Sequence, residues 1–388
     1  MVYVNKALCS SIAANVQVKL DAERQSEYMA ALASTFLRRC IVKLHLSGYF
    51  RASLQQVQPL GWNFIKSLTL YQFNGGITAL PANLEQLCLY RTVMDADMMR
   101  IMTTTAPASL HTLQLLRWCP LACPPEGLQL PTTLRTLVCA RYCMDTAELP
   151  RRARAFRIRL PDSLRHLHLV QWDVLKGTPF PTSLESLHLQ GCTIGSEQDS
   201  DEEDDFDGSQ QQRNGHDVVR LPAGLRKLVV AHCEFNCGFG SLPPSLITFD
   251  ASRDNGANLA NLDHDKWDDM LYSHMFYPYA WSLALLPPGL VHLDFSMLNA
   301  YDAPLGPLPC TLQFLHMGYQ FCEELGPLPV SLKSLRVLRL GTEFAQPLSR
   351  LPEGLKELRL GSSFNHPLPP LPSTLETLVV DDKYAHPH

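Results

Sequence analysis

Six of the fourteen histidines in this 388-residue chain stand inside short leucine strings, at His45, His166, His168, His188, His292 and His316. Two of these strings are SLRHLHL (Ser163 to Leu169) and SLESLHL (Ser183 to Leu189). Imidazole binds metals and changes charge near neutral pH, so a cluster of such side chains could form a metal centre or a pH-sensitive patch. His168 and His188 occupy equivalent places 20 residues apart, with His166 two residues before the first. Histidine also tolerates the semi-polar surface of a strand, and that plainer reading outweighs the metal one. An intermediate reading is a partner-binding patch, because Trp118, Tyr142 and Trp172 lie just beyond neighbouring leucine strings. Aromatic rings beside polar groups are common interface anchors. The competing reading is that these rings cover the edge of a hydrophobic core.

The elements that would position these groups follow from a repeat. The frame LPxxLxxLxL recurs, cleanly or degraded, fourteen times, with starts at Leu37, Gly61, Leu80, Ala106, Leu130, Leu160, Phe180, Leu221, Leu242, Leu286, Leu308, Leu328, Leu351 and Leu371. Its LxxLxL half alternates apolar and polar residues, as a strand buried on one side must. A repeat of about 20 residues returns each strand beside the last in a parallel sheet. Proline before the strand suits an extended approach and needs no ladder hydrogen bond. The other half, as in FNHPLPPLP (Phe364 to Pro372), holds too many prolines for a regular helix. The expected fold is a leucine-rich-repeat-like solenoid, with a parallel β-sheet on the concave face and an irregular or extended convex side with few helices.

In that frame the residues between and after the leucines face out of the sheet. They include Lys43 and His45, Thr112 and Gln114, His166 and His168, Ser186 and His188, Thr248 and Asp250, His292 and Asp294, Phe314 and His316, and Glu357 and Arg359. The expected partner-binding set on this face and its rim is Trp118, Tyr142, His166, His168, Trp172, His188, His292, His316 and Arg359. No metal and no cofactor is expected.

Residues 37–388 are read as a solenoid of about 14 coils, and residues 1–36 as a partly helical N-terminal cap, because residues 20–39 have helix-forming composition with an apolar face through Tyr28, Met29, Leu32 and Phe36. Two insertions interrupt the coils. Residues 193–220 carry eight acids between Glu197 and Asp207 and are expected to be disordered, with Ser196 and Ser200 as candidate phosphorylation sites. Residues 252–285 are rich in aromatics, including Trp267, Phe276, Tyr277, Tyr279 and Trp281, and are expected to fold against the array. RRARAFRIR (Arg151 to Arg159) holds five arginines and is expected to pair with the acidic loop, stay solvated or meet an acidic partner. The last frame ends near the C-terminus, so a partner, a second copy or the folded-back tail is expected to cover it.

Composition narrows the function. With 46% hydrophobic and 18% charged residues the chain is an ordered protein, and a net charge of -5 argues against a nucleic-acid partner. No run of about 18 apolar residues spans a membrane, and the first residues make a poor secretory signal, so a cytoplasmic location is expected. Twelve cysteines include the pairs Cys119/Cys123, Cys139/Cys143 and Cys233/Cys237, but Cys139 falls where other repeats place a large apolar residue. These are read as core or surface thiols, not zinc ligands. There is no glycine-rich phosphate loop, HExxH motif or nucleophile elbow, so no enzyme is expected.

The elements FNHPL (Phe364 to Leu368), FAQPL (Phe344 to Leu348) and FNGGI (Phe73 to Ile77), each followed by LP and a leucine strand, resemble the FNIP repeat family, a short variant of the leucine-rich repeat. The resemblance implies a non-enzymatic surface that binds a protein partner. It also implies an alternative, a substrate receptor of a ubiquitin ligase docking through residues 1–36. The array is similar as well to leucine-rich repeats of secreted bacterial effectors. A metal-dependent hydrolase centred on His166, His168 and His188 is the least favoured role.

Overall fold

The computed structural model describes residues 18–22, 41–47, 62–72, 79–92, 98, 100–118, 130–141, 155–196, 218–252, 285–298, 301–325, 328 and 332–386. The chain divides into two compact units, Met1–Trp172 and Asp173–His388. In the first, seven parallel strands follow one another in sequence order: β1 (Val18–Ala22), β2 (Ile41–Ser47), β3 (Ser67–Tyr71), β4 (Gln86–Tyr90), β5 (Thr112–Trp118), β6 (Thr136–Arg141) and β7 (His166–Val170). The second contains β8 (Asp173–Leu175), β9 (Ser186–Gln190), β10 (Thr193–Ser196), β11 (Lys227–Ala231), β12 (Glu234–Phe235), β13 (Thr248–Asp250), β14 (His292–Asp294), β15 (Phe314–His316), β16 (Val337–Arg339), β17 (Glu357–Arg359) and β18 (Thr377–Val379). There β9, β11 and β13 to β18 form the main parallel sheet, and β8, β10 and β12 form a short parallel sheet of their own. Outside the strands, the described chain has only brief helical turns, at Trp62–Phe64 and Ile101–Thr105, the second preceded by helical Met98 and Arg100. None of its helices is long and apolar enough to cross a membrane.

The LPxxL segment sets the phase of each strand. The leucine N–H donates back to the proline carbonyl three residues earlier, as from Leu84 to Pro81, Leu164 to Pro161, Leu246 to Pro243 and Leu375 to Pro372. This closes a turn, and the next two N–H groups both donate to one carbonyl of the preceding coil; Lys356 and Glu357, for example, share the carbonyl of Arg336. A hydroxyl just before the leucine adds a second tie. Ser245 Oγ donates to the Leu225 carbonyl at 2.7 Å, Thr311 Oγ1 to Leu290 at 2.7 Å and Thr374 Oγ1 to Leu355 at 2.9 Å. Ser109, Thr133 and Ser163 make the same bond in the first unit.

The core of each unit is built from one layer of residues per coil. Leucines such as Leu68, Leu87, Leu113 and Leu137 in the first unit and Leu293, Leu315, Leu338 and Leu358 in the second are fully buried. On the connecting side of the second unit, Tyr301, Phe321, Phe344, Phe364 and Tyr384 form a column with one ring per coil. Their centroids are spaced 6.4, 6.2, 6.2 and 6.1 Å, with the planes close to parallel. At the end of the column the Tyr384 hydroxyl donates to the His366 carbonyl and accepts from the Leu368 N–H. The tail thus covers the rings, while Leu371 and Val379 of the last coil stay exposed. Coils also touch closely at Gly341, where an added Cβ would collide with the Gly318 carbonyl.

Four readings of the sequence change. Leu20, Asp21 and Ala22, the start of the stretch expected to be helical, belong to strand β1, which pairs with β2; Val18 to Ala22 alternates apolar and polar residues as a strand does. The frame at Leu328 starts three residues too early. Strand β16 is Val337–Arg339 and pairs Leu338 with Leu358, because Leu332 takes the place of the turn proline and Leu335 donates to its carbonyl. The insertion at residues 193–220 is narrower, since its β-branched start, Thr193 and Ile194, pairs within β10 and ends at Ser196. The arginine run is partly built into the fold: Phe156 and Ile158 are buried, and the Phe156 ring meets Trp172 edge-on at 5.5 Å. Residues 23–40, the FNGGI element, residues 197–217 with Ser200, and residues 253–284 lie outside the described residues.

The ring column predicts a stability effect. Phe344 is fully buried between two rings, so Phe344→Ala is expected to destabilise the second unit by about 3–5 kcal/mol, whereas Phe64→Ala, at an exposed position, changes stability by less than about 0.5 kcal/mol. Denaturant unfolding followed by circular dichroism measures both.

Candidate functional site

On the outward face of the second unit, register places the ladder residues in two columns. Thr248, His292, Phe314, Val337 and Glu357 form one, and Asp250, Asp294, His316, Arg339 and Arg359 the other. Neighbouring strands lie ~4.8 Å apart, so groups far apart in sequence become nearest neighbours. The second column runs from two carboxylates through an imidazole to two guanidinium groups.

Phe314 is the centre of the face. The His292 ring stacks on it at 4.4 Å with planes 13° apart, His316 meets it edge-on at 6.3 Å, and the Arg339 guanidinium lies 5.5 Å from its centroid. Arg339 donates to both oxygens of Glu357, at 2.9 and 3.3 Å, and Arg359 Nε donates to the same carboxylate. The Arg339 hydrogen bonds, helped by Arg359, outweigh the cost of burial and hold the Glu357 carboxyl below its ordinary value of 4.5.

At the acidic end, each aspartate caps the turn that follows its strand. Asp250 Oδ1 accepts from the Ser252 N–H at 2.9 Å and hydroxyl at 2.7 Å, and Asp294 Oδ1 accepts from the Ser296 N–H at 2.8 Å. Asp294 is 6% exposed, and His316 Nδ1 stands 3.5 Å from its Oδ1. Burial raises the Asp294 carboxyl, but hydrogen bonds from His316 and Ser296 more than offset it and leave the group below its ordinary value. Burial lowers the His292 imidazole despite the nearby Asp250 and Asp294 charges. One ligand atom each from Asp250, His292 and Asp294 lies within 4.8 Å of the other two, the spacing of a candidate metal site.

Of the residues expected from sequence, the fold brings together His292, His316 and Arg359. His166 is exposed and His168 half-buried on β7 of the first unit, and His188 is half-buried on β9 of the second. Trp118 ends β5, but its side chain, like all of Tyr142, lies outside the described residues. Trp172 is not an exposed anchor. It is fully buried, donates from Nε1 to the Cys139 carbonyl at 3.0 Å and receives Arg141 over its ring at 5.3 Å. Large rings can fill a coil's interior when the indole N–H finds a carbonyl, and this one does.

Arg339 was hidden from the sequence reading by the shifted Leu328 frame; the match of RVLRL (Arg336 to Leu340) to KELRL (Lys356 to Leu360) is the signal that locates it. The buried thiols Cys139, Cys192 and Cys237 are packing groups, whereas Cys310 is exposed. Burial pushes the Cys139 thiol far up and the Cys88 thiol up to about 11. Cys233 Sγ contacts the Leu189 and Ala231 carbonyls in the place where the first unit puts Thr92, whose hydroxyl donates to the Leu70 carbonyl.

No family model and no curated protein matches the sequence. Among solved structures, the chain is similar to CroV588, described as a novel circular leucine-rich-repeat protein, with a TM-score of 0.51 and 22% identity over 89% of this chain and 47% of that one. The fold is that of a leucine-rich-repeat solenoid. The chain spans about half the length of that protein, 47%. YopM from Yersinia enterocolitica WA-314 matches at 18% identity and a TM-score of 0.36, covering 88% of this chain and 81% of that one. TLR13, in its complex with ssRNA13, matches at 14% identity and a TM-score of 0.41, covering 96% and 54%.

The Glu357 ion pairs make a measurable prediction. A carboxyl depressed in the folded state adds stability that is complete above its unfolded value and lost as pH falls through the folded one, so this contribution fades below pH 4.5. Arg339→Gln is expected to move the Glu357 titration up toward 4.5, as followed by carboxyl carbon NMR; an unmoved midpoint sinks the assignment of Arg339 as the main cause.

Proposed function

We infer that the protein is a non-enzymatic recognition scaffold that binds a protein partner through the outward strand face of its second unit. The observation that carries this reading is the His292–Phe314–Arg339 stack, which spans three adjacent strands on a half-exposed surface. Aromatic and arginine side chains dominate binding energy at interfaces. Here they are held by a strand ladder, so little conformational entropy is lost on binding. The charge sequence along the second column fits a partner that sets a basic group against Asp250 and Asp294, an apolar one over Phe314 and an acidic one against Arg359. The ring column supports reading the repeat as the FNIP type, with Phe344 and Phe364 in the phenylalanine place and Tyr384 one repeat further on.

The face is tested by comparing the proteins that the wild type and its variants retain from a cell lysate. A partner is expected to stay with the wild type and with Glu353→Lys, a change at an exposed turn outside the strand ladder, and to be lost from Arg359→Glu. With that partner purified, Arg359→Glu is expected to weaken binding about tenfold or more, ~1.4 kcal/mol. If neither Arg359→Glu nor Phe314→Ala changes the retained proteins, the face is wrong.

A further inference from the structure

We propose that Asp250, His292 and Asp294 form a binding site for one divalent transition-metal ion on the outward face of β13 and β14. The two aspartates are direct partners across the two strands, and His292 stands two residues before Asp294 on the same face, so the fold converges two carboxylates and an imidazole without help from any loop. Their ligand atoms lie within 4.8 Å of one another. A metal bonded at about 2.1 Å holds its ligands up to about 4.2 Å apart, so small side-chain rotations close the site.

Electrostatics point to a cation as well. Like charges directly opposite on neighbouring strands destabilise a sheet. Asp250 and Asp294 stand directly opposite each other, and Asp294 is 6% exposed, so water screens its side of the pair poorly. Lys227 and His316 lie near His292 on other strands of the sheet, and neither belongs to the three-residue cluster. A dication shared by both carboxylates converts the repulsion into attraction.

The donor set selects the kind of ion. Two carboxylate oxygens and an imidazole nitrogen suit zinc or manganese, and the absence of thiolate from the cluster disfavours copper(I). Three protein ligands leave coordination positions for water. His316, 3.5 Å from Asp294, is placed to orient that carboxylate from the next strand. The site shares Asp250, His292 and Asp294 with the proposed partner face, but its test needs no partner, so the two readings fail separately.

The test uses the full chain, stripped of metal and then titrated with zinc chloride by calorimetry, beside the variant Asp250→Asn/Asp294→Asn. Asparagine keeps the oxygen that caps each turn, so the variant is expected to fold and, without metal, to unfold at a midpoint no lower than the wild type. The wild type is expected to bind one zinc more per chain than the variant, or to bind it at least about tenfold more tightly, and to gain a zinc-dependent rise in unfolding midpoint that the variant lacks. Equal stoichiometry, affinity and midpoint shift in the two proteins overturns the proposal, and protection of the wild type by calcium but not zinc overturns the choice of ion. A second readout needs no variant: cobalt(II) bound to wild-type protein with alkylated cysteines should show ligand-field bands free of thiolate charge transfer. Loss of all cobalt binding on alkylation overturns the site.

Discussion

The turn LPx(S/T)L is the constraint on which the array depends. Its backbone bond from leucine N–H to proline carbonyl and its hydroxyl bond to the preceding coil fix where each strand starts and which coil it follows. No coil can bury its leucines alone, so stability arises only when each layer meets the next in phase. A slip of one residue would turn every leucine out of the core. The hydroxyl meets this need cheaply, because a short side chain satisfies a carbonyl that the strand ladder leaves over. At Gly224, where glycine replaces it, the coils still approach: a Cβ there would stand 3.0 Å from the Thr182 carbonyl.

Once phase is fixed, chemistry inside and outside the coil becomes columnar. Inside, one ring per coil yields the stack from Tyr301 to Tyr384. Outside, one residue per strand yields the row from Asp250 to Arg359. A ring spacing near 6 Å exceeds the ~4.8 Å between strands, so the connecting side of each coil is the wider one.

Much of the fold was legible because leucine period and proline position express the same constraint. The frames at Leu351 and Leu371 lead directly to β17 and β18. The frame at Leu328 failed because Leu328-Pro329 imitates the turn, while the true turn has Leu332 in place of proline. The interior place of Trp172 is not legible in the sequence because the same place in the repeat is also held by Thr92, Cys192 and Cys233, so no residue class marks it. The columns of the candidate site were partly legible: their members could be named from the frame, but Asp250 and His292 are separated by a long insertion, and only register makes them neighbours.

Turn chemistry explains why the second column changes sign. Two residues after Asp250 and Asp294 come Ser252 and Ser296, whose N–H groups the carboxylates accept. Two residues after His316, Arg339 and Arg359 come Gly318, Gly341 and Gly361, where a Cβ would strike the carbonyls of the neighbouring coil. Glycine makes the turn without a side-chain cap, so the strand's last residue is free to be basic. The capped turns require an oxygen at that place, and asparagine or aspartate supplies it equally well. Capping therefore accounts for the oxygen but not for the negative charge, and it does not explain two such charges side by side. The pair of carboxylates beside His292 is the part of the column that turn geometry leaves over, and it is the part with the donor atoms and spacing of a metal ligand set.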